Sequence, residues 1–139
     1  MSPQTVTNRL QRVMNAAARV VSDTRKFDRG LKAILHDELH WLDVPERIEY
    51  KLGVMVYRRL HGHWTGIADH FIPASDAAPR RGRLRSANRN YLTVPRCRLS
   101  CRAFDYAGPT VWNSLPAELK NSDSFDSFKR FMKTILFSR

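Results

Sequence analysis

Acidic residues are scarce in this 139-residue chain, which has 13 aspartates and glutamates against 24 lysines and arginines and a net charge of +11. Its two cysteines, Cys97 and Cys101, are too few for a disulfide framework. No apolar run approaches the roughly 18 residues that indicate a transmembrane helix, and the N-terminal residues do not resemble a signal peptide. These absences argue against a disulfide-rich secreted domain and against a membrane partner. We therefore expect an intracellular protein, in the nucleus, the cytoplasm or both.

The shortage of acids is greatest between Ala77 and Phe104, where there is none. This segment contains eight arginines: Arg80, Arg81, Arg83, Arg85, Arg89, Arg96, Arg98 and Arg102. A concentration of positive charge favours a polyanionic partner, and the planar guanidinium pairs bidentately with phosphate. The alternative is a solvated basic loop without a partner. We predict that these eight arginines contact RNA or DNA.

Apolar residues recur at spacings of three and four, which predicts helices that each carry one apolar stripe. The first stripe consists of Val6, Leu10, Val13, Met14, Ala17, Val20 and Val21. A second, shorter one follows Gly30 and consists of Leu31, Ile34, Leu35, Leu39 and Leu42. A third follows Pro45 and consists of Ile48, Leu52, Met55, Val56 and Leu60, with Gly62 as its stop. The last follows Asp123 or Ser124 and consists of Phe125, Phe128, Met132, Ile135 and Leu136.

The predicted fold class is mainly α, a small helical bundle with a long basic loop. Residues 91–106 are ambiguous between loop and a short β-hairpin, and Gly108-Pro109 and Leu115-Pro116 bracket one compact helical turn that carries Trp112. We expect one domain in three parts. These are a three-helix part over 1–62, the arginine-rich loop or hairpin over 63–106, and a C-terminal helical part over 107–139.

Two sets of residues raise the question of a metal site. His36 and His40 are four residues apart, so on a helix they would share one face, but aspartate stands where a zinc protease needs glutamate. Cys97 and Cys101 with His61 and His63 have the wrong separation for a compact zinc finger. We therefore predict no metal, no cofactor and no catalytic residue. Paired carboxylates for two-metal chemistry are also missing, because Asp37 and Glu38 would diverge on a helix.

Several strings of the chain resemble the C-terminal region of non-LTR retrotransposon (LINE) reverse transcriptases of the jockey and CR1 type. The strings in the first half are Leu10-Gln11-x-Val13-x-Asn15-Ala16-Ala17-Ala18-Arg19, Leu39-His40-Trp41-Leu42 and Val44-x-x-Arg47-Ile48. Those in the second half are Gly108-Pro109-x-x-Trp112-Asn113-Ser114-Leu115-Pro116, Ser124-Phe125-x-x-Phe128-Lys129 and Leu136-Phe137. The Trp-Asn-Ser-Leu-Pro string followed by the phenylalanine helix is the most specific of these signals. The resemblance spans about Asn8 to Phe137.

The resemblance implies a thumb-side fragment of an RNA-directed DNA polymerase that holds template RNA or target DNA. It implies no activity for this chain, because the family's catalytic aspartates lie in a palm upstream of this region. Asp43 also departs from the family, which usually has proline there. The alternative function is a helical protein-interaction module that docks on the polymerase core of the parent protein or on another acidic partner.

Overall fold

The computed structural model describes residues 3–62, 90–96 and 103–138. This part of the chain is mainly α-helical, as the periodicity predicts. Its elements are α1 Pro3–Val21, α2 Leu31–Ala33, a π-helical turn Ile34–Glu38, α3 Val44–Leu60, α4 Phe104–Ser114, α5 Ala117–Lys120 and α6 Phe125–Phe137. None of these helices is long and apolar enough to cross a membrane. Two compact units are present, one formed by the residues up to Ile48 with those from Ile135 onward, and one formed by Glu49–Thr134.

The core of the Glu49–Thr134 unit is a cluster of aromatic rings. Phe128 is fully buried, and its ring centroid lies 4.3 Å from that of Tyr57 and 6.0 Å from that of Trp112. The buried Tyr57 keeps its hydroxyl satisfied, because that group donates a 2.9 Å hydrogen bond to the carbonyl of Ser122. Gly53 allows close packing here, since a Cβ at this position would clash with Cε of the buried Met132.

In the unit that contains α1, the side chain of Gln11 fastens the start of α3. Its Oε1 accepts a 2.8 Å hydrogen bond from the backbone N–H of Val44, which is one of the N–H groups that a helix start leaves without an intrahelical acceptor. Its Nε2 donates to Oδ1 of Asp43 at 2.8 Å and to Oδ1 of Asn15 at 3.0 Å. The polar Thr7–Gln11–Asn15 side of α1 is therefore partly buried.

The first apolar stripe lies on a helix, as predicted, but most of it is not buried. Met14 is buried, but the other large apolar side chains of that stripe are exposed. Their exposed fractions are 42% for Val6, 52% for Leu10, 68% for Val13, 83% for Val20 and 61% for Val21. The buried face of α1 carries Ala18 and Met14 beside Gln11, and at about 100° per residue the centre of the exposed stripe lies on the far side of the helix from Gln11. We call the exposed residues Val6, Leu10, Val13, Ala17 and Val20 the α1 stripe.

The second predicted helix is also different from expectation. Gly30 marks its start with φ of 93°, as the sequence indicates, but α2 lasts only three residues. The chain then forms a π-helical turn, in which the N–H of Leu39 donates to the carbonyl of Ile34 at 3.0 Å. The wider turn still buries Leu35 and, further along, Leu42. The apolar spacing alone does not distinguish this turn from a continuous α-helix.

Residues 97–102 of the possible hairpin over 91–106 lie outside the described residues, and within the described part Leu92 forms an isolated β-bridge. Residues 104–106 begin α4 instead, where the carbonyl of Ala103 accepts hydrogen bonds from the N–H groups of Tyr106 and Ala107. The helix is therefore longer than the single turn that we expected, and Pro109 lies inside it. Pro109 lacks an N–H for the helix, but its ring is fully buried, and this burial offsets part of that loss.

Two phenylalanines of α6 provide a matched test of this core. We expect Phe128→Ala to lower the free energy of unfolding by about 3 to 5 kcal/mol, because it leaves a cavity between Tyr57 and Trp112. Phe131, on the same helix, is 61% exposed, so Phe131→Ala should change stability by only about 0.5 kcal/mol. Urea unfolding monitored by circular dichroism measures both values. Equal losses of stability in the two variants would contradict the described packing.

Candidate nucleic-acid interface

Of the eight arginines predicted to contact nucleic acid, the described residues include only Arg96. Its side chain is exposed at the end of the described segment 90–96. The other seven lie outside the described residues: Arg80, Arg81, Arg83, Arg85, Arg89, Arg98 and Arg102. Segment 90–96 is therefore the part of the arginine-rich stretch for which the structure provides a position.

Trp112 and Asn113 of α4 hold this segment against the helix. The indole Nε1 of Trp112 donates a 2.8 Å hydrogen bond to the carbonyl of Asn90. The amide of Asn113 pairs with both backbone groups of Leu92, accepting from its N–H at 2.9 Å and donating to its carbonyl at 2.8 Å. Leu92 is only 4% exposed, so its backbone groups need such partners. We call these three hydrogen bonds the Trp-Asn clamp.

The clamp gives a structural role to the first two residues of the Trp-Asn-Ser-Leu-Pro string. Trp112 belongs to the aromatic core, as its position between two prolines suggests, and its indole N–H also fixes the segment. Leu115 follows in extended backbone, with φ of −71° and ψ of 148°, as the following Pro116 requires. Sequence alone does not show that Asn113 reaches a residue 21 positions away.

A pocket of about 240 Å³ lies beside the clamp. Its walls are formed by Leu60, His61, Asn90, Tyr91, Leu92, Trp112 and Lys120. The cation in this wall is Lys120, the last residue of α5, whose side chain is 4% exposed. Its Nζ donates a hydrogen bond to the carbonyl of Asn113 at 3.2 Å and lies 4.2 Å from the centre of the Tyr91 ring. We call this cavity the Lys120 pocket.

Burial lowers the pKa of Lys120 from its ordinary value of 10.5, because removing an ammonium from water disfavours its charged form. In the unfolded chain the same group binds its proton more tightly. The free energy of unfolding therefore increases as the pH rises from the lowered pKa of the folded state to the ordinary value of 10.5. Below the lowered pKa, Lys120 is charged in both states, and burial of its charge destabilises the fold by the full amount. None of the described carboxylates forms an ion pair with Lys120 to offset that cost.

The larger cavity, of about 390 Å³, has a different electrostatic character. It lies against α1 in the other unit and includes Asp43, Glu46 and Lys32 together with the amides of Gln11 and Asn15. Two carboxylates in one wall disfavour an anion. For a polyanionic partner the Lys120 pocket is therefore the better candidate site. The sequence does not single out Lys120, because the chain contains many other lysines and arginines.

The histidines considered for zinc are not arranged as one helical face. The π-helical turn ends at Glu38, and His40 has left-handed backbone with φ of 50°. Nε2 of His36 lies 3.6 Å from Oδ2 of Asp43, while Nδ1 of His40 lies 3.2 Å from the carbonyl of His36. In the described part of the chain, no three histidine, cysteine or acidic side chains are grouped to hold a metal ion. His63, Cys97 and Cys101 lie outside the described residues.

No family model, curated protein or solved structure matches the chain.

Asn113 provides a direct test of the clamp. We expect Asn113→Ala to lower the free energy of unfolding by about 1 to 3 kcal/mol, because two buried backbone groups of Leu92 lose their partners. Amide hydrogen exchange at Leu92 should become much faster. The matched control is Asn121→Ala, which removes only the exposed hydrogen bond from Asn90 Nδ2 to Asn121 Oδ1. If Leu92 exchanges at the wild-type rate in Asn113→Ala, the clamp does not hold the segment.

Proposed function

We propose that this chain is a nucleic-acid-binding module, namely the C-terminal, thumb-side part of a retroelement reverse transcriptase without its catalytic palm. The observation that carries the proposal is the acid-free arginine segment between Ala77 and Phe104, which provides eight of the eleven net positive charges. Such a segment suits the regularly spaced phosphates of RNA or DNA. The family assignment rests on the sequence strings described above.

The geometry of the described residues supports a role for this segment in binding. The Trp-Asn clamp fixes Asn90 and Leu92, and these residues follow Arg89 directly in the chain and precede the exposed Arg96. A tethered basic segment loses less conformational entropy on binding than a free one, because part of its backbone is already ordered. The clamp therefore raises the affinity that these arginines provide.

A second candidate function is a protein-interaction module, and the α1 stripe favours it. The stripe exposes Leu10, Val13 and Val20 on a helix that contains no acidic residue and three arginines. The apolar side chains recur at alternating spacings of three and four, which is the pattern of a helix that packs against another helix. Repulsion between arginines disfavours a second copy of α1 as the partner, and an acidic amphipathic helix suits it better.

A salt titration tests the first function and separates it from the second. We expect the protein to bind a fluorescent single-stranded oligonucleotide with little sequence preference. If about four phosphates are neutralised, the logarithm of the affinity should fall against the logarithm of salt concentration with a slope of about −3 to −4. Fluorescence anisotropy at several salt concentrations measures it. If folded protein fails to bind at low salt, the interaction module becomes the better interpretation.

A pair of variants that remove the same number of charges provides the control. The first replaces four arginines of the segment by serine: Arg80, Arg81, Arg83 and Arg85. The second replaces four exposed cations elsewhere by serine: Arg25, Lys26, Arg29 and Lys32. We expect the first to weaken binding more, with the slope reduced by about 0.7 to 0.9 for each phosphate that is no longer neutralised. Equal weakening would mean that net charge, and not the arginine segment, drives binding.

We further propose that the chain has no polymerase activity by itself. Nucleotide transfer requires carboxylates that converge on two divalent ions, and Asp37 and Glu38 are adjacent in a helical turn and both exposed. We expect no primer extension with RNA or DNA template in magnesium or manganese. A gel assay on purified protein measures it, with an active reverse transcriptase as the positive control. Extension that disappears when one of this chain's own acidic residues is replaced would contradict the proposal.

A further inference from the structure

Lys120 is a buried cation without a carboxylate partner in the described part of the chain. Burying an ammonium without a counter-charge is costly, and proteins ordinarily offset that cost with an ion pair or a bound anion. The Asn113 carbonyl and the Tyr91 ring contribute only partial negative charge. The described residues of the site therefore hold a positive charge in place without neutralising it.

The volume of the Lys120 pocket limits the size of the group that it can enclose. Its volume of about 240 Å³ corresponds to roughly eight water molecules at about 30 Å³ each. That is enough for a phosphate group, but it lies below the range of about 300 to 1,000 Å³ that encloses a whole small-molecule ligand. Among the described residues, the Asn113 carbonyl accepts one hydrogen bond from the ammonium, which leaves two N–H groups without an acceptor among those residues.

We propose that the Lys120 pocket binds one phosphate group of the nucleic-acid backbone. The inference rests on the proposed function, and it adds a binding residue, on α5, that lies outside the arginine segment. The position of the pocket favours a polymer phosphate over a free one. Asn90 and Leu92, which form part of its wall, stand in the chain between Arg89 and Arg96, so this wall belongs to the arginine segment itself.

The hydrogen bond and ring contact of Lys120 explain why a lysine suits this position. The Tyr91 ring and the Asn113 carbonyl hold Nζ in one place, so binding requires little further ordering of its flexible side chain. Asn113 contributes to both features. Its side-chain amide holds Leu92 in the Trp-Asn clamp, and its backbone carbonyl holds the ammonium of Lys120. Binding of a phosphate in this pocket requires the folded protein, whereas binding of phosphates by a basic loop does not.

Two variants that each remove one positive charge test the proposal. Lys120→Met keeps the length of the side chain and removes its charge, and Lys51→Met does the same at an exposed position on α3. We expect Lys120→Met to reduce oligonucleotide affinity about 10-fold near 50 mM salt and to reduce the magnitude of the salt slope by about 1. Lys51→Met should change affinity less than about 2-fold. Equal effects of the two variants would contradict a phosphate site at Lys120 and would leave the proposed function intact.

Nuclear magnetic resonance of the wild-type protein gives a second measurement that does not depend on how a variant folds. The pKa of Lys120 is followed through its side-chain Cε and Nζ signals, first alone, then with inorganic phosphate, then with the oligonucleotide. A bound phosphate group should raise that pKa toward 10.5, with a larger rise for the oligonucleotide than for free phosphate. The exposed Lys51 serves as the internal reference.

The outcomes of these experiments are distinct. If the wild-type protein binds the oligonucleotide and the pKa of Lys120 does not change, the pocket does not bind a phosphate, and the proposed function is unaffected. Wild-type protein that does not bind the oligonucleotide overturns the proposed function. A pKa that rises with inorganic phosphate alone, and no further with oligonucleotide, makes the pocket a site for free phosphate and contradicts a role in holding the backbone.

Discussion

The pairing of the Asn113 amide with both backbone groups of Leu92 is the interaction on which the candidate site depends. It resembles one rung of a β-ladder in which a side chain takes the place of the second strand. Leu92 can be buried because its N–H and carbonyl are satisfied. With the Trp112 indole on the Asn90 carbonyl, this pairing orders a segment that otherwise has only an isolated β-bridge at Leu92, and thereby forms one wall of the Lys120 pocket.

A side-chain amide has a comparable role in the other unit. Gln11 accepts from the N–H of Val44 and donates to Asp43, so the start of α3 is completed from α1. The α1 stripe lies on the far side of the same helix and remains exposed, although its apolar spacing is that of a core helix.

Charge in this protein is of two kinds. The arginine segment contributes a dense positive field that acts over roughly a Debye length and weakens with salt. Lys120 contributes one cation that is held by an aromatic ring and a carbonyl, and burial lowers its pKa. The field suits capture of a polyanion along its length, while the held cation suits a single phosphate at a defined point. In the proposed function the two act together on one strand.

Local patterns in the sequence determined the helical class, the helix over Val44–Leu60 with its stop at Gly62, and the start of α6 after Ser124, because spacing, glycine and proline act over a few residues. The arginine segment is likewise a property of the sequence alone. Tertiary structure decided which face of α1 is buried, the π-helical turn after α2, and the longer α4 around Pro109. It also decided the Lys120 pocket, because the contacts of Lys120 with Tyr91 and of Asn113 with Leu92 join residues more than 20 positions apart, and hydrophobic periodicity carries no information about such partners.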